Sequence, residues 1–195
     1  MGAGLILVVC TGNVCRSPYI ERLLAAQLAP YGVQVASAGT HALMGEPMDP
    51  EVARLLADAG LSGEGFVARQ LTPDLARSAD LVLTATRDHR RHVVRMAPKA
   101  LRHTHAIDDF SDLVAGADLQ PTGDGSFVAQ LAAGAAARRD EVAVRDADGA
   151  GIVDPYRRSP EVFGRMAAQV GHLLPPIVRA ARHLAATPNG DAAGG

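Results

Sequence analysis

The sequence has no tryptophan, 4% aromatic residues, two cysteines and one lysine, Lys99, among its 195 residues. Two cysteines are too few for a disulfide framework, which favours a chain kept as free thiols in a reducing compartment. Nucleic-acid surfaces usually combine clustered cations with aromatic platforms, so this composition argues against a nucleic-acid partner. No apolar run approaches the roughly 20 residues of a membrane-spanning helix, so no membrane insertion is expected.

The chain also lacks the charged segment and cleavable apolar stretch of a secretion signal, and its first residues lead into a core strand. We therefore expect a cytoplasmic protein. With 48% hydrophobic residues and a net charge of −2, residues 1–186 are expected to form a single domain with a buried core. Residues 187–195 lack apolar periodicity and are predicted to be disordered.

Short apolar runs alternate with helical patterns along the chain. Strands are predicted at residues 5–9, 32–38, 81–84 and 103–107; helices are predicted to start at residue 17 and to cover 49–59, 72–77, 88–96 and 160–186. This alternation is typical of an α/β sandwich around a short parallel sheet. Residues 112–150 break the pattern and are predicted to be an insertion or mobile flap, with a helix of its own over 127–139.

The most informative segment joins the first strand to the first helix and places Cys10 six positions before Arg16. A helix N-terminus presents unpaired N–H groups and a positive dipole, which suits a tetrahedral dianion. The backbone amides that could surround it belong to Thr11, Gly12, Asn13, Val14, Cys15 and Arg16. Arg16 adds a bidentate guanidinium, and the same positive field favours the thiolate form of Cys10. The Ser17 hydroxyl could stabilise that sulfur, so the segment predicts a nucleophile in a phosphate-binding loop; the alternative is a small apolar residue closing a core strand.

A second segment, just before the last helix, contains Asp154, Pro155 and Tyr156. A carboxylic acid across the pocket could protonate a leaving oxygen and then take a proton from the attacking water. Tyr156 could form a wall against an aromatic leaving group. Asp-Pro is also a common turn and helix-entry signal, so the segment by itself leaves both interpretations open.

Cys15 lies five residues after Cys10 in the same loop. A reversible disulfide between them could protect the nucleophile from over-oxidation. The alternative is that Cys15 is a small side chain that fills the loop.

Together with residues 37–40 and 68–72, these segments resemble the low-molecular-weight protein tyrosine phosphatase family, from residue 5 to about residue 184 apart from the insertion. The resemblance implies a flavodoxin-like fold with a four-stranded parallel sheet and a phosphomonoesterase that needs no metal or other cofactor. It implies roles for five residues: the nucleophile Cys10, the phosphate clamp Arg16, the loop hydroxyl Ser17, the loop-shaping Asn13 and the general acid Asp154.

Residues 21–24 and 154–163 are most similar to bacterial members that work beside tyrosine kinases of exopolysaccharide synthesis and export. The resemblance thus implies a tyrosine-phosphorylated protein as the partner, with such a kinase as a candidate. The chain departs from the family at three positions. Phe66 replaces a histidine that braces the loop, Leu43 replaces an aromatic residue of the specificity loop, and Arg157 replaces a second aromatic after Tyr156.

Two rival enzymes share this scaffold. Thioredoxin-linked arsenate reductases need two further cysteines, and none follows Cys15. Protein-arginine phosphatases carry a threonine where this chain has Val14, which cannot donate a hydrogen bond. A non-enzymatic alternative is a phosphoprotein-binding module, which would need neither a thiolate nor an acid.

Two histidine-containing stretches receive simpler interpretations. His103 and His105 are predicted to lie on an exposed strand edge rather than to bind a metal. The cationic run at residues 87–95 is predicted to be a solvated helix face, with an acidic flank of the substrate as a minor option.

Overall fold

The computed structural model describes residues 2–121, 125–141 and 151–187. Four parallel strands form one sheet in the order β2-β1-β3-β4. The strands are β1 Leu5–Cys10, β2 Gln34–Gly39, β3 Leu81–Thr84 and β4 Thr104–Ala106. The α-helices are α1 Arg16–Leu28, α2 Pro50–Asp58, α3 Pro73–Ser78, α4 Arg87–Met96, α5 Ile107–Val114, α6 Phe127–Ala137 and α7 Pro160–Ala186, with short 3-10 helices at Ala29–Tyr31 and Pro98–His103. The predicted flavodoxin-like α/β fold with a four-stranded parallel sheet is confirmed.

Strand β1 is central because both of its faces are apolar. Ile6 and Val8 pack into the core on one side of the sheet, and Leu7 and Val9 pack into the core on the other. Such a strand is buried on both sides, as expected for a parallel sheet covered by helices. Its last residue, Cys10, is paired with the last residue of β2, Gly39. The carboxyl ends of these strands therefore meet at one edge, where ligands bind in open α/β sheets.

The helices complete a three-layer sandwich. Helices α3 and α4 pack on the Leu7 and Val9 side, and the remaining five helices pack on the opposite side. Helix α7 has an apolar stripe that is buried against that larger core, formed by Met166, Val170, Leu173, Leu174 and Ile177. Residues 160–186 thus form the predicted helix.

The mobile-flap interpretation of residues 112–150 does not hold for α6. Phe127, Val128 and Leu131 are buried and belong to the main core. Residues 112–114, at the start of this stretch, form the end of α5. This helix was not predicted from the sequence. Residues 122–124 and 142–150 lie outside the described part of the chain, as do residues 188–195, on which the prediction of a disordered tail falls.

The prediction of an exposed strand edge is wrong for His105, which is 2% exposed. Helix α5 follows β4 directly and covers it, and the His105 ring meets the Phe110 ring edge-on with 5.0 Å between centroids. Burial lowers the pKa of His105 to about 3, so the ring is neutral. His103 remains partly exposed, with its Nε2 lying 3.2 Å from the Ala76 carbonyl oxygen.

Candidate active site

The cysteine loop, residues 10–16, connects the carboxyl end of β1 to the amino end of α1. Cys10 is 2% exposed, and its Sγ lies 3.0 Å from the Oγ of Ser17 in the first turn of α1. The first turn of a helix carries unpaired N–H groups and the positive end of the dipole. The loop can therefore stabilise negative charge on the sulfur and on an oxyanion beside it.

Asn13 fixes the shape of this loop from beneath. Its φ angle is 57°, a left-handed conformation that asparagine tolerates better than most residues. Its Nδ2 donates to Ser17 Oγ at 2.9 Å and to Ser37 Oγ at 2.8 Å, and its Oδ1 accepts from the Arg69 amide at 2.9 Å. Because Ser17 Oγ accepts from Asn13, its own proton is free to donate to the sulfur of Cys10.

The bracing network continues without a histidine at position 66. Ser37 Oγ donates to the Glu21 carboxylate at 2.5 Å, so an acidic residue of α1 closes the network. Phe66 instead packs beneath the Arg22 guanidinium, whose carbon lies 6.0 Å from the ring centroid. The departure at Phe66 therefore leaves the contacts of Asn13 and Ser37 intact in this structure.

Arg16 and Asp154 meet in front of the loop. An Arg16 Nη donates to Asp154 Oδ2 at 2.7 Å, and the other Nη donates to the Ile152 carbonyl oxygen at 3.3 Å. The Arg16 side chain is 5% exposed, whereas that of Asp154 is 54% exposed. Among the described residues, the buried Arg16 Nε has no hydrogen-bond acceptor. A buried guanidinium with one donor unused is suited to an anionic ligand.

The segment that carries Asp154, residues 151–156, is held by hydrogen bonds from three consecutive amides. Gly151 donates to Asp108 Oδ2 at 2.7 Å, Ile152 to the Ala85 carbonyl at 2.9 Å and Val153 to Gln169 Oε1 at 2.8 Å. Asp154 Oδ1 in turn accepts from the Tyr156 amide at 3.2 Å. This acid loop, residues 151–156, is thus fixed to α5, to α7 and to the residue that follows β3. These contacts bring Asp154 to Arg16 across 138 residues of sequence.

The pocket in front of the sulfur brings together most of the residues predicted from the sequence. It is lined by Cys10, Thr11, Gly12, Val14, Cys15, Arg16, Asp154 and Tyr156, together with His41 and Leu43. Asn13 and Ser17 are buried beneath the loop instead. Tyr156 and Leu43 are each 38% exposed, so the mouth of the pocket has an aromatic and an aliphatic wall.

Cys15 is buried and differs chemically from Cys10 by its surroundings. Burial, and then the negative charges of Asp49 and Cys10, raise the pKa of the Cys15 thiol well above its usual value. The Cys15 side chain is consequently a poor nucleophile in this conformation. Both cysteines are free thiols here, and the reversible disulfide between them stays a prediction.

His89 lies at the site but was not among the residues predicted from the sequence. The prediction of a solvated face for residues 87–95 is wrong at this position, because His89 is 8% exposed. Its Nε2 lies 2.8 Å from Thr11 Oγ1, and burial with the charge of Arg16 lowers its pKa to about 4. His89 and Val93 are both buried and lie four residues apart in α4, on one face of the helix. This spacing is the sequence signal that could have indicated a buried position for His89.

His41 is a second addition to the pocket. It follows β2, and its ring meets that of His92 edge-on with 5.6 Å between centroids. The loop that carries it is tied to the cysteine loop, since the His41 amide donates to the Thr11 carbonyl at 3.0 Å. A lone histidine between Thr40 and Ala42 gives no pattern from which this position could be predicted.

Two negative findings apply to the described ranges. They contain no group of three or more histidine, cysteine or acidic residues arranged to hold a metal ion. None of their helices has the length and apolar character needed to span a membrane.

Comparison with known proteins identifies similar sequences. The sequence model of the low molecular weight phosphotyrosine protein phosphatases matches residues 5–121. Etp of Escherichia coli K12, a low molecular weight protein-tyrosine-phosphatase, is 48% identical over 94 residues, which are 48% of this chain and 62% of Etp. Wzb of the same strain, also a low molecular weight protein-tyrosine-phosphatase, is 46% identical over 94 residues and is covered over 63% of its length. The sequence alignments thus span less than two thirds of these relatives.

Solved structures extend the similarity over most of the chain. The tyrosine phosphatase AmsI of Erwinia amylovora superposes with a TM-score of 0.61 and 28% identity, covering 93% of this chain and 91% of AmsI. The arginine phosphatase YwlE of Geobacillus stearothermophilus superposes with a TM-score of 0.68 and 26% identity, covering 92% of this chain and 93% of YwlE. The fold is therefore similar to phosphatases with two different phosphorylated substrates.

Proposed function

Because the chain belongs to the low molecular weight phosphotyrosine protein phosphatase family, we propose that it hydrolyses phosphotyrosine in proteins through a cysteinyl-phosphate intermediate. In this proposal Cys10 is the nucleophile, Arg16 clamps the phosphoryl group, and Asp154 is the general acid and base. The backbone amides of residues 11–16 bind the phosphoryl oxygens.

The observation that carries the proposal is the convergence of three unlike groups on one pocket. The sulfur of Cys10 has a hydroxyl group 3.0 Å away, an Arg16 Nη lies 2.7 Å from Asp154, and the buried Arg16 Nε has no acceptor among the described residues. Phosphate binding alone would require only the amides and the guanidinium. A sulfur nucleophile and a carboxyl group that line the same pocket support phosphoryl transfer to the protein.

The first chemical step transfers the phosphoryl group to sulfur. The Cys10 thiolate attacks phosphorus, forming a sulfur–phosphorus bond while the bond to the phenolic oxygen breaks. Asp154 in its protonated form gives its proton to the departing phenolate. The loop amides and Arg16 stabilise the charge on the three equatorial oxygens.

The second step returns the enzyme to its starting state. Asp154, now a carboxylate, takes a proton from a water molecule that attacks the cysteinyl-phosphate. The sulfur–phosphorus bond breaks, the thiolate is regenerated and inorganic phosphate is released. Ser17 supports this departure because its oxygen accepts from Asn13, which leaves its hydroxyl proton free to donate to the sulfur 3.0 Å away.

The ion pair between Arg16 and Asp154 in the free protein has a role in this scheme. A phosphoryl dianion offers the guanidinium a stronger and bidentate partner than a half-exposed carboxylate. Substrate binding would therefore displace Asp154 from Arg16 and free its carboxyl group for the leaving oxygen.

The walls of the pocket support an aromatic leaving group. Tyr156 and Leu43 flank its mouth, where a phenyl ring could be held between an aromatic and an aliphatic surface.

We infer that the partner is a tyrosine-phosphorylated protein, and a tyrosine kinase of polysaccharide export is the candidate. A reducing compartment such as the cytoplasm would keep Cys10 active as a thiol.

Val14 favours phosphotyrosine over phosphoarginine. It is buried in the loop, lines the pocket and has no hydroxyl group that could contact a phosphoramidate nitrogen or position a water. Arsenate reduction would need resolving cysteines, and the sequence has no cysteine besides Cys10 and Cys15. A binding module without turnover would need neither a thiolate nor an acid, whereas Cys10 and Asp154 line the same pocket.

The experiment that tests this function measures phosphate release from a phosphotyrosine peptide and a phosphoarginine peptide side by side, with chelator and reductant present. The proposal predicts preference for phosphotyrosine and loss of turnover in Cys10→Ser. Preference for phosphoarginine would show that the argument from Val14 is wrong. Absence of release from either peptide by folded protein would favour the binding module.

A further inference from the structure

The buried imidazole of His89 connects the cysteine loop to helix α4. Its Nε2 lies 2.8 Å from Thr11 Oγ1, and its Nδ1 lies 2.7 Å from the Oγ1 of Thr86. Thr86 is the N-cap of α4, and its Oγ1 also accepts from the backbone amide of His89 at 3.4 Å. Both ring nitrogens thus have a hydroxyl partner on different elements.

These contacts favour one arrangement of protons. As the N-cap, Thr86 Oγ1 accepts from the His89 amide, so its hydroxyl proton is available to Nδ1. The ring then carries its proton on Nε2 and donates to Thr11. Burial and the nearby Arg16 charge hold the pKa of His89 down to about 4, which keeps the ring neutral.

Thr11 is the residue next to the sulfur, and it faces the pocket. Its carbonyl oxygen accepts from the His41 amide, and its side chain is held by His89. The far half of the cysteine loop is held separately by Asn13 through Ser17, Ser37 and Arg69. Backbone amides of Thr40, His41 and Leu43 also donate to the carbonyl oxygens of the first turn. Among the described residues, His89 adds the contact that holds the side chain of Thr11.

We propose that His89 is a positioning residue for the phosphoryl-transfer site: it fixes Thr11 by a hydrogen bond and so holds the first turn of the cysteine loop in its phosphate-binding conformation. This inference rests on the proposed function. It adds a residue that does not touch the substrate and acts only through Thr11. The bond, rather than the volume of the ring, is the essential feature.

A double-mutant cycle tests the inference. The variants are His89→Ala, Thr11→Val and the double variant, assayed for kcat/KM with p-nitrophenyl phosphate and for inhibition by inorganic phosphate. Each single variant should lower kcat/KM about tenfold, the effect of one lost hydrogen bond, and should weaken phosphate inhibition in parallel. The double variant should lose no more than either single variant, because both remove the same interaction.

Further variants separate positioning from packing. Thr11→Val has nearly the volume of threonine, so a packing role would leave its activity intact, whereas Thr11→Ser should recover most of the lost activity. His172→Ala removes an exposed histidine of α7 and should leave kcat/KM unchanged. Additive losses in the cycle, or full activity in Thr11→Val, would overturn the inference.

The two proposals can fail separately. If the wild-type protein hydrolyses no phosphate ester, the proposed function is wrong. The affinity of the same variants for inorganic phosphate, measured by calorimetry, then still shows whether the cysteine loop binds phosphate. A non-additive loss of phosphate affinity would support the role of His89, and additive losses would refute it.

Discussion

Asp154 is the residue whose chemistry can be tested most specifically. Asp154→Asn keeps the size of the side chain and removes the acid, so a leaving group must depart with its negative charge. We expect kcat for phenyl phosphate to fall about a hundredfold or more, and kcat for 2,4-dinitrophenyl phosphate to fall much less, because a stable phenolate needs little protonation. Steady-state kinetics over a series of aryl phosphates provides the measurement.

The matched control for this carboxylate is Asp58→Asn, which removes an exposed partner of Arg54 that does not line the pocket. Its kinetics should equal those of the wild type. A uniform slowing of all aryl phosphates by Asp154→Asn would show that Asp154 is not the acid.

At position 16, the shape of the side chain should matter more than its charge. Arg16→Lys keeps the positive charge but loses the planar fork that reaches Asp154 and the Ile152 carbonyl. We expect kcat/KM for a phosphotyrosine peptide to fall about a hundredfold or more, since a buried bidentate contact to the phosphoryl group is lost. Arg54→Lys, on an exposed helix surface, is the control and should have no effect.

At the scale of single residues, the sequence was informative where local spacing carries the chemistry. Cys10, Arg16 and Ser17 occupy one short loop, so their proximity could be predicted, and Asp154 could be added only through the resemblance. The spacing of His89 and Val93 could have indicated a buried position for His89, but its contacts could not be predicted, because Thr11 and Thr86 are common residues that meet it only through tertiary packing. Glu21, which closes the brace behind Asn13, was missed for the same reason.

At the scale of elements, the end of β2 is packed directly against the cysteine loop. A Cβ on Gly39 would overlap the Thr11 carbonyl oxygen and approach Ala42 at 3.0 Å. Gly39→Ala should therefore lower the free energy of unfolding by about 1–3 kcal/mol and reduce phosphatase activity, because the backbone of the loop must move. Urea denaturation and kcat/KM measure the two effects.

Gly164 is the matched glycine, in the α7 helix with nothing within 4 Å of an added Cβ. Gly164→Ala should raise the free energy of unfolding by roughly 0.5–1 kcal/mol without changing activity. Equal stability changes in the two variants would contradict the close approach of β2 to the loop.

The strands and most helices could be predicted because their apolar periodicity is strong. The predicted strand at residues 81–84 and helix at residues 160–186 coincide with the observed elements. Helix α5 was not predicted because its carboxylates, Asp108, Asp109 and Asp112, made the segment resemble a loop, although half of its residues are apolar and follow a helical spacing. Its Asp108 is in fact buried, and it holds the acid loop through the Gly151 amide.

At the scale of the whole molecule, two buried neutral histidines should make stability depend on pH. The pKa of His89 is lowered to about 4 and that of His105 to about 3, mainly by burial, against about 6.5 in the unfolded chain. Between these values the unfolded chain binds more protons, so the free energy of unfolding falls as the pH falls below about 6.5. We expect a loss on the order of 3 kcal/mol from each histidine between pH 7 and pH 4, or roughly 6 kcal/mol from the pair.

Urea denaturation across this pH range measures the effect. His105→Gln should flatten the dependence, because it removes one of the two proton-binding sites that folding suppresses. His103→Gln, which changes a partly exposed ring, should leave the slope as in the wild type. An unchanged slope in His105→Gln would contradict the buried neutral state of this histidine.

The most direct test of the central claim is detection of the cysteinyl-phosphate itself. Acid quenching of the enzyme during turnover of an aryl phosphate, followed by mass spectrometry, should find one phosphoryl group on the peptide that contains Cys10, and none in Cys10→Ala. Turnover by Cys10→Ala, or wild-type turnover that never places phosphate on this sulfur, would contradict the account.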